Sequence, residues 1–76
     1  PSVYSKNYLM ITVNINNHPY SFPKEIALEA ALEHLNFPKK GIAVAVDNAI
    51  VSKSDWETCV LQQNAQVLVI QATQGG

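Results

Sequence analysis

Few side chains in this sequence are of the kind that performs covalent chemistry, and their spacing keeps them apart. Cys59 is the single thiol. A thiol attacks or carries sulfur only as its thiolate, which needs an electropositive setting, yet its flanks Trp56-Glu57-Thr58 and Val60-Leu61-Gln62 carry no cation. Its spacing of three from Trp56 and its neighbour Val60 instead predict a small apolar role in or near the core, with Trp56 as a core or rim anchor. His18 falls among turn-forming residues and His34 on a helix surface. Neither has the His/Glu spacing of a metal site or a sequence-adjacent Ser or Cys to activate, so both read as solvated and no metal is expected. Glu25, Glu29 and Glu33 recur every four residues. They form one helical face, either a contact for a basic partner surface or the solvated side of an amphipathic helix. Lys39-Lys40 read as solubilising.

That leaves the terminus, Gln71-Ala72-Thr73-Gln74-Gly75-Gly76, which follows the apolar run Val67-Leu68-Val69-Ile70. A terminal Gly-Gly can be a frayed end or a cloning scar. After an apolar strand and an uncharged stalk it also has a chemical use. Without a Cβ, Gly75 and Gly76 pass a narrow channel and take backbone angles closed to other residues, and the Gly76 carboxylate is unhindered. A carboxylate at neutral pH is a poor electrophile, so a partner enzyme must first convert it to an acyl phosphate type anhydride. On this reading the chain needs no catalytic group of its own.

Composition bounds the same conclusion. Seventy-six residues make one domain, and a chain this short buries only about 60% of the surface its unfolded form exposes. It has no second lobe to enclose a cleft, which favours a binding or carrier role over a self-sufficient enzyme. Hydrophobic residues at 47% and charged residues at 14% predict a folded chain rather than a disordered one. The net charge of −1 gives no basic footprint for nucleic acid. One cysteine excludes an internal disulfide and a cysteine-built zinc site. No apolar stretch is long enough for a membrane span and no leader is evident, so the expectation is a soluble protein of a reducing compartment, the cytoplasm or a plastid stroma.

The elements that must position the terminus can be read in order. Residues 1–9 lack periodicity and are read as an N-terminal extension or cloning remnant, with Met10 a candidate natural start; deleting them is expected to leave folding intact. Ile11, Val13 and Ile15 alternate with Thr12, Asn14 and Asn16, the period of a half-buried strand. Asn16-Asn17-His18-Pro19 supplies a turn, and Tyr20 and Phe22 resume the alternation, so residues 10–22 form a hairpin. Leu28, Ala31, Leu32 and Leu35 then fall on one helical stripe over 26–36, with no strong cap at the start and Asn36 with Pro38 as the stop. Residues 42–46 are apolar throughout, as in an inner strand covered on both sides or nearly so. Asp47-Asn48 turns into a short strand at 49–51. Ser54 or Asp55 caps a helical turn carrying Trp56, Cys59 and Val60. Gln62 to Ala65 break the chain, and 66–72 form the last strand.

A hairpin, a helix that covers it and a final strand inserted beside the first make a two-layer α+β domain. That layout is the β-grasp, a mixed sheet with one main helix on one face, here over 10–76 with a flexible diglycine arm at 71–76.

These residues resemble the ThiS sulfur carriers of thiamin thiazole biosynthesis. The resemblance runs from Met10 to Gly76, through the opening MITVN, the AALEHL helix, GIAVAVDNAIVSKSDW, the strand VLVI and the final GG. The most specific part is VAVDNAIVSKSDW, with Asn48 in the turn, Ile50-Val51, Lys53 and Trp56 in the family's order. Ser52 stands where many members have proline, Gln63-Asn64-Ala65 replaces a common acidic-Gly-acidic turn, and Thr73-Gln74 is an unusual approach to the glycines.

The resemblance implies a ubiquitin-like β-grasp that is a co-substrate rather than an enzyme. It implies that a ThiF-like adenylyltransferase uses ATP and Mg²⁺ to form an acyl-adenylate at Gly76. A sulfur donor, a cysteine desulfurase or similar, then makes a thiocarboxylate, and a ThiG-like thiazole synthase takes the sulfur. Gly76 is then the modified residue, Gly75, Gln74 and Thr73 give access, and Gln71 and Ala72 contact partners. The small subunit of molybdopterin synthase shares the β-grasp and diglycine end and is the alternative carrier; the AIVSKSDW segment favours the thiazole branch. A ubiquitin-like protein modifier is a further alternative, although Gln74 stands where such tails usually have arginine. A plain sheet-face interaction domain is another. Neither nucleic acid nor a membrane is an expected partner.

Overall fold

The computed structural model describes residues 10–71. The first nine residues, and with them the reading of an extension or remnant, lie outside the described residues.

Strands β1 (Met10–Ile15) and β2 (His18–Pro23) form the expected hairpin. The turn is tighter than the sequence suggested. Asn16 and Asn17 alone make it, at φ of 53° and 69°, the left-handed pair that matches the twist of a two-residue hairpin and that Asn tolerates better than most residues. His18 and Pro19 already belong to β2. Two prolines are tolerated there because β2 is an edge strand, where a missing N–H breaks no ladder.

Helix α1 (Leu28–His34) is shorter than the stripe predicted. Its start is displaced because residues 26 and 27 are used elsewhere: Ala27 bridges Val60, and Leu61 N–H donates to the Ile26 carbonyl. Its end is set by Asn36 at φ 63°. Phe37 N–H reaches the Leu32 carbonyl and Asn36 N–H the Glu33 carbonyl, the paired bonds of a Schellman stop. Leu28, Ala31 and Leu32 are buried and Leu35 packs against them, so the predicted stripe faces the sheet.

Strand β3 (Ile42–Val46) turns at Asp47-Asn48 into β4 (Ala49–Val51). A 3-10 turn (Lys53–Asp55) follows, then an irregular stretch, then β5 (Ala65–Gln71). The five strands order as β2-β1-β5-β3-β4. β5 lies in the centre, parallel to β1 and antiparallel to β3. Sheet and helix enclose one core, whose most enclosed large side chains include Trp56, Phe22, Ile15, Leu28, Leu32 and Leu61. This is the mixed-sheet β-grasp expected.

β3 meets expectation in part. Val44 is buried under the helix layer and Ala45 on the opposite face is buried too, but Ala43 on that face is exposed. The expected cap at Ser54 or Asp55 is also absent. Ser52 precedes the 3-10 turn and makes no side-chain capping bond, and Val60 has left the turn to bridge Ala27.

Candidate functional site

The terminal residues on which the chemistry was placed, Ala72, Thr73, Gln74, Gly75 and Gly76, lie outside the described residues; Gln71 is the last described one. The site is therefore built from the strand that launches them. Along β5, Ala65, Val67 and Val69 are buried and Gln66, Leu68, Ile70 and Gln71 exposed. Alternating burial on a central strand fixes its register, since a one-residue slip would move three buried side chains into water. Gln71 pairs with Ile42 at the end of β3, so the arm starts from the rim of the sheet.

The parallel partnership of β5 with β1 is short, running only from Val13↔Ala65 to Ile15↔Val67. Side chains extend it at both ends. At the lower end Thr12 N–H donates to Gln63 Oε1 at 3.0 Å, and Asn64 N–H donates to the Thr12 carbonyl at 2.7 Å. At the upper end Asn16 N–H donates to the Val67 carbonyl at 2.9 Å. The next rung would use the Asn16 carbonyl, but the chain has swung into the turn; Asn16 Oδ1 takes its place and accepts Val69 N–H at 2.8 Å. On the other side Asp47 and Gln66 bond reciprocally, Asp47 N–H to the Gln66 carbonyl at 2.7 Å and Gln66 N–H to Asp47 Oδ1 at 3.0 Å. The two Asn-containing turns thus clamp β5 in an open depression lined by Asn16, Asp47, Asn48 and Gln66.

Asn16 combines a left-handed backbone with a substitute rung, and the two can be separated by mutation. Asn16→Gly keeps the backbone angle but leaves the Val69 amide without its acceptor, and is expected to cost about 1 kcal/mol. Asn16→Ala loses the bond and also Asn's tolerance of positive φ, and is expected to cost about 2 kcal/mol. Urea unfolding checks the order; an Asn16→Gly variant as stable as the unaltered chain would mean that the side-chain bond contributes nothing beyond backbone preference.

The outward face of the sheet is uncharged. β2 and β1 contribute Pro19, Ser21, Thr12 and Asn14 to it, and β5, β3 and β4 contribute Leu68, Ile70, Ala43, Ala45 and Ile50. No ionisable side chain stands at the outward positions of the described strands. Leu68 and Ile70 are half exposed and Ile50 is 73% exposed. Glu29 and Glu33 flank Lys39, whose Nζ lies 3.9 Å from Glu29 and contacts Glu33. Lys39 is thus an ion-pair partner rather than a purely solubilising residue, and its hydrogen bond to Glu33 holds its pKa above the usual lysine value. Glu25 does not share that face, because it lies before α1 at φ 68°.

The remaining candidates are structural or solvated. His18 is exposed, and exposed His34 sets its ring edgewise on Phe22 at a centroid distance of 5.8 Å. Among the described residues no group of three His, Cys, Asp or Glu side chains could hold a metal ion. Cys59 is half-buried against the core. Burial first, and the Asp55 carboxylate second, push its thiol pKa up. This is the opposite of what a nucleophile or sulfur carrier requires. No helix among the described residues is long and apolar enough to cross a membrane.

A family model described as the ThiS family matches residues 13–76, from within β1 to the last glycine. The chain belongs to the ThiS family. A crystal structure of the thiamine biosynthesis protein ThiS from Geobacter metallireducens shares its fold, with a TM-score of 0.75 at 12% identity, covering 87% of this chain and 100% of that one. None of the curated proteins compared matches the chain. The family match places it among the small sulfur carriers of thiamin biosynthesis that the sequence resembled.

Two ThiS-like features find their physical reason in this geometry. The AIVSKSDW segment is structural rather than chemical. It buries Trp56, whose Nε1 donates to the Val51 carbonyl at 3.1 Å, and with Cys59 just beyond it supplies the missing helix cap. Leu28 N–H donates to the Cys59 carbonyl at 2.7 Å and Glu29 N–H to the Trp56 carbonyl at 3.1 Å, so main-chain groups satisfy the first amides of α1 where no side chain does. The departure at Gln63-Asn64-Ala65 is equally local. Asn64 adopts φ 66° where ThiS sequences commonly place glycine, and Asn is among the residues best able to replace it there.

Proposed function

We propose that this ThiS-family chain carries sulfur as a thiocarboxylate on Gly76. A partner adenylyltransferase of the ThiF kind uses ATP and Mg²⁺: a Gly76 carboxylate oxygen attacks the α-phosphorus, pyrophosphate leaves, and an acyl-adenylate remains. A donor delivering sulfur at the oxidation level of sulfide attacks the acyl carbon, AMP leaves, and the thiocarboxylate forms. A thiazole synthase of the ThiG kind then takes the sulfur. The domain itself supplies no acid, base or metal and acts as co-substrate. Gly75, Gln74 and Thr73 are the access residues, and Gln71 and Ala72 meet the partners.

The observation that supports this reading is the placement of the arm's root. β5 is the central strand, held on both sides as far as the Val69 N–H and by β3 to its last residue, and it ends at the sheet rim with its outward side chains uncharged. A central strand moves least when the residues beyond it are threaded into another protein, so the domain serves as a rigid handle for a thin arm.

Intact mass spectrometry after incubation with a ThiF-like enzyme, ATP, Mg²⁺ and a sulfide source tests the assignment. The expected result is the mass gain of one oxygen exchanged for sulfur, mapped to Gly76, and Cys59→Ser is expected to load to the same extent as the unaltered chain. Sulfur found on Cys59, or an unchanged mass, would show that the carrier chemistry is not at the terminus.

A further inference from the structure

We infer that the open upper edge of β5, at Val69 and Gln71, receives an extended backbone segment of the adenylating enzyme, which adds a strand to the sheet beside the arm. This rests on the carrier reading above.

The directions of the β5 main-chain groups follow from bonds already described. The Val67 carbonyl and the Val69 N–H both face β1, since both bond to Asn16. The Gln66 N–H and carbonyl both face β3, since both bond to Asp47. Main-chain groups alternate along a strand, so Leu68 and Ile70 also point to β3, where Ala45 and Ala43 pair with them. Gln71 points the other way. On that side β1 has ended at Ile15, opposite Val67, and Asn16 covers only the Val69 N–H. Among the described residues no hydrogen bond is made by the Val69 carbonyl or by the Gln71 N–H on this edge. A central strand thus becomes an edge strand just before the arm begins.

An uncovered edge is a template for strand addition, in which main-chain bonds give affinity and flanking side chains give specificity. The occupant is indicated by where the chain goes next. Residues 72–76 are five, and fully extended they reach at most about 18 Å. An enzyme that holds Gly76 at an enclosed reaction centre must bring its surface against the end of β5. The side chains flanking the edge there, Leu68 and Ile70, are half exposed and apolar. A passing segment with apolar side chains on that face can cover them while its backbone pairs with Val69 and Gln71. A second copy of this chain fits less well. Pairing two such edges would lay each arm along the other domain and withdraw both Gly76 carboxylates from an enzyme.

Gln71 allows a main-chain test. Its N–H makes no bond to β3, so Gln71→Pro removes the outward donor without removing a rung of the sheet. Gln71→Ala removes the side chain and keeps the donor. With the full chain and a ThiF-like adenylating enzyme in the presence of ATP and Mg²⁺, Gln71→Pro is expected to bind roughly tenfold more weakly than Gln71→Ala, at matching melting temperatures. The Gln71 amide of the unaltered chain is expected to exchange with solvent roughly tenfold more slowly in the complex than alone. Equal binding of the two variants, or unchanged exchange at Gln71 in a complex that still adenylates Gly76, overturns the strand-addition inference and leaves the carrier reading standing. Failure of the unaltered chain to be adenylated overturns both. Self-association of the chain alone, abolished by Gln71→Pro, assigns the edge to a second copy and likewise overturns the inference.

Discussion

Appending a single alanine after Gly76 is expected to abolish sulfur loading while leaving the fold untouched. The extra residue moves the reactive carboxylate by about 3.8 Å, one Cα step along a trans chain. It also sets a Cβ beside the carboxylate, where the diglycine end has none. A misplacement of about 1 Å can already cost roughly a hundredfold in rate, because the advantage of a bound reactant lies in the position of its reacting atoms. The loss expected here is at least about that large. The alanine is remote from every bond that sets the sheet register, so the melting temperature should match that of the unaltered chain. Pyrophosphate release with a ThiF-like enzyme, read alongside circular dichroism, separates the two effects. Undiminished turnover with the added alanine would place the reacting group elsewhere and remove the reason for the arm.

The same division between a rigid domain and a reactive end explains which parts of the molecule were legible from sequence. Alternation in Ile11, Val13 and Ile15 and the helical stripe of Leu28, Ala31 and Leu32 are local consequences of burying one face, and they emerged with correct faces. The turns at Asn16-Asn17 and Asp47-Asn48 were legible because Asn and Asp tolerate positive φ. The misreadings at α1, Asn16 and Gln63 concern partners distant in sequence. α1 starts late because Ile26 and Ala27 bond to Leu61 and Val60, and these pairings have no signature within 26–36. The lack of a side-chain cap is legible there, whereas the Trp56 and Cys59 carbonyls that stand in for it are not. Asn16 is the turn residue its type predicts, but its side chain also completes a ladder with a strand 53 residues away. Gln63, read as part of a polar break, does the same for Thr12 across 51 residues.

The exposure of the outer sheet face was hidden for a related reason. An all-apolar run such as residues 42–46 suits a strand covered on both sides, and also one covered on a single side with small residues outward. Here Ala43 and Ala45 are the outward pair, Ala43 exposed and Ala45 buried, and the larger apolar side chains on that face come from Leu68, Ile70 and Ile50. Their grouping depends on strand order, which places β5 beside β3 although the 3-10 turn and the segment after it intervene in sequence. The terminus was the reverse case. Residue types alone suggest its chemistry, and its placement lies outside the described residues.

Trp56→Ala is the substitution expected to damage the domain most. The indole is 2% exposed and packs in the main core cluster, so removing it costs about 3–5 kcal/mol through lost transfer energy and the cavity left behind. A chain of this length has a total stability of about 4–11 kcal/mol, so much or all of its margin disappears. The damage also spreads. Trp56 fixes the segment whose carbonyls hold the first two amides of α1, and α1 in turn covers the core face of β5 through Leu28, Ala31 and Leu32. Loosening this segment therefore loosens the strand that carries the arm, and sulfur loading should fall with the folded fraction. Trp56→Phe distinguishes packing from hydrogen bonding. It keeps most of the apolar volume but leaves the Val51 carbonyl without the Nε1 donor, for an expected cost of about 1–2 kcal/mol. Because Trp56 is the single tryptophan, unfolding must be followed by far-ultraviolet circular dichroism in urea rather than by indole fluorescence. A loss under about 1 kcal/mol in the alanine variant would mean that the helix and strands hold together without this anchor, and that the SKSDW segment needs another explanation.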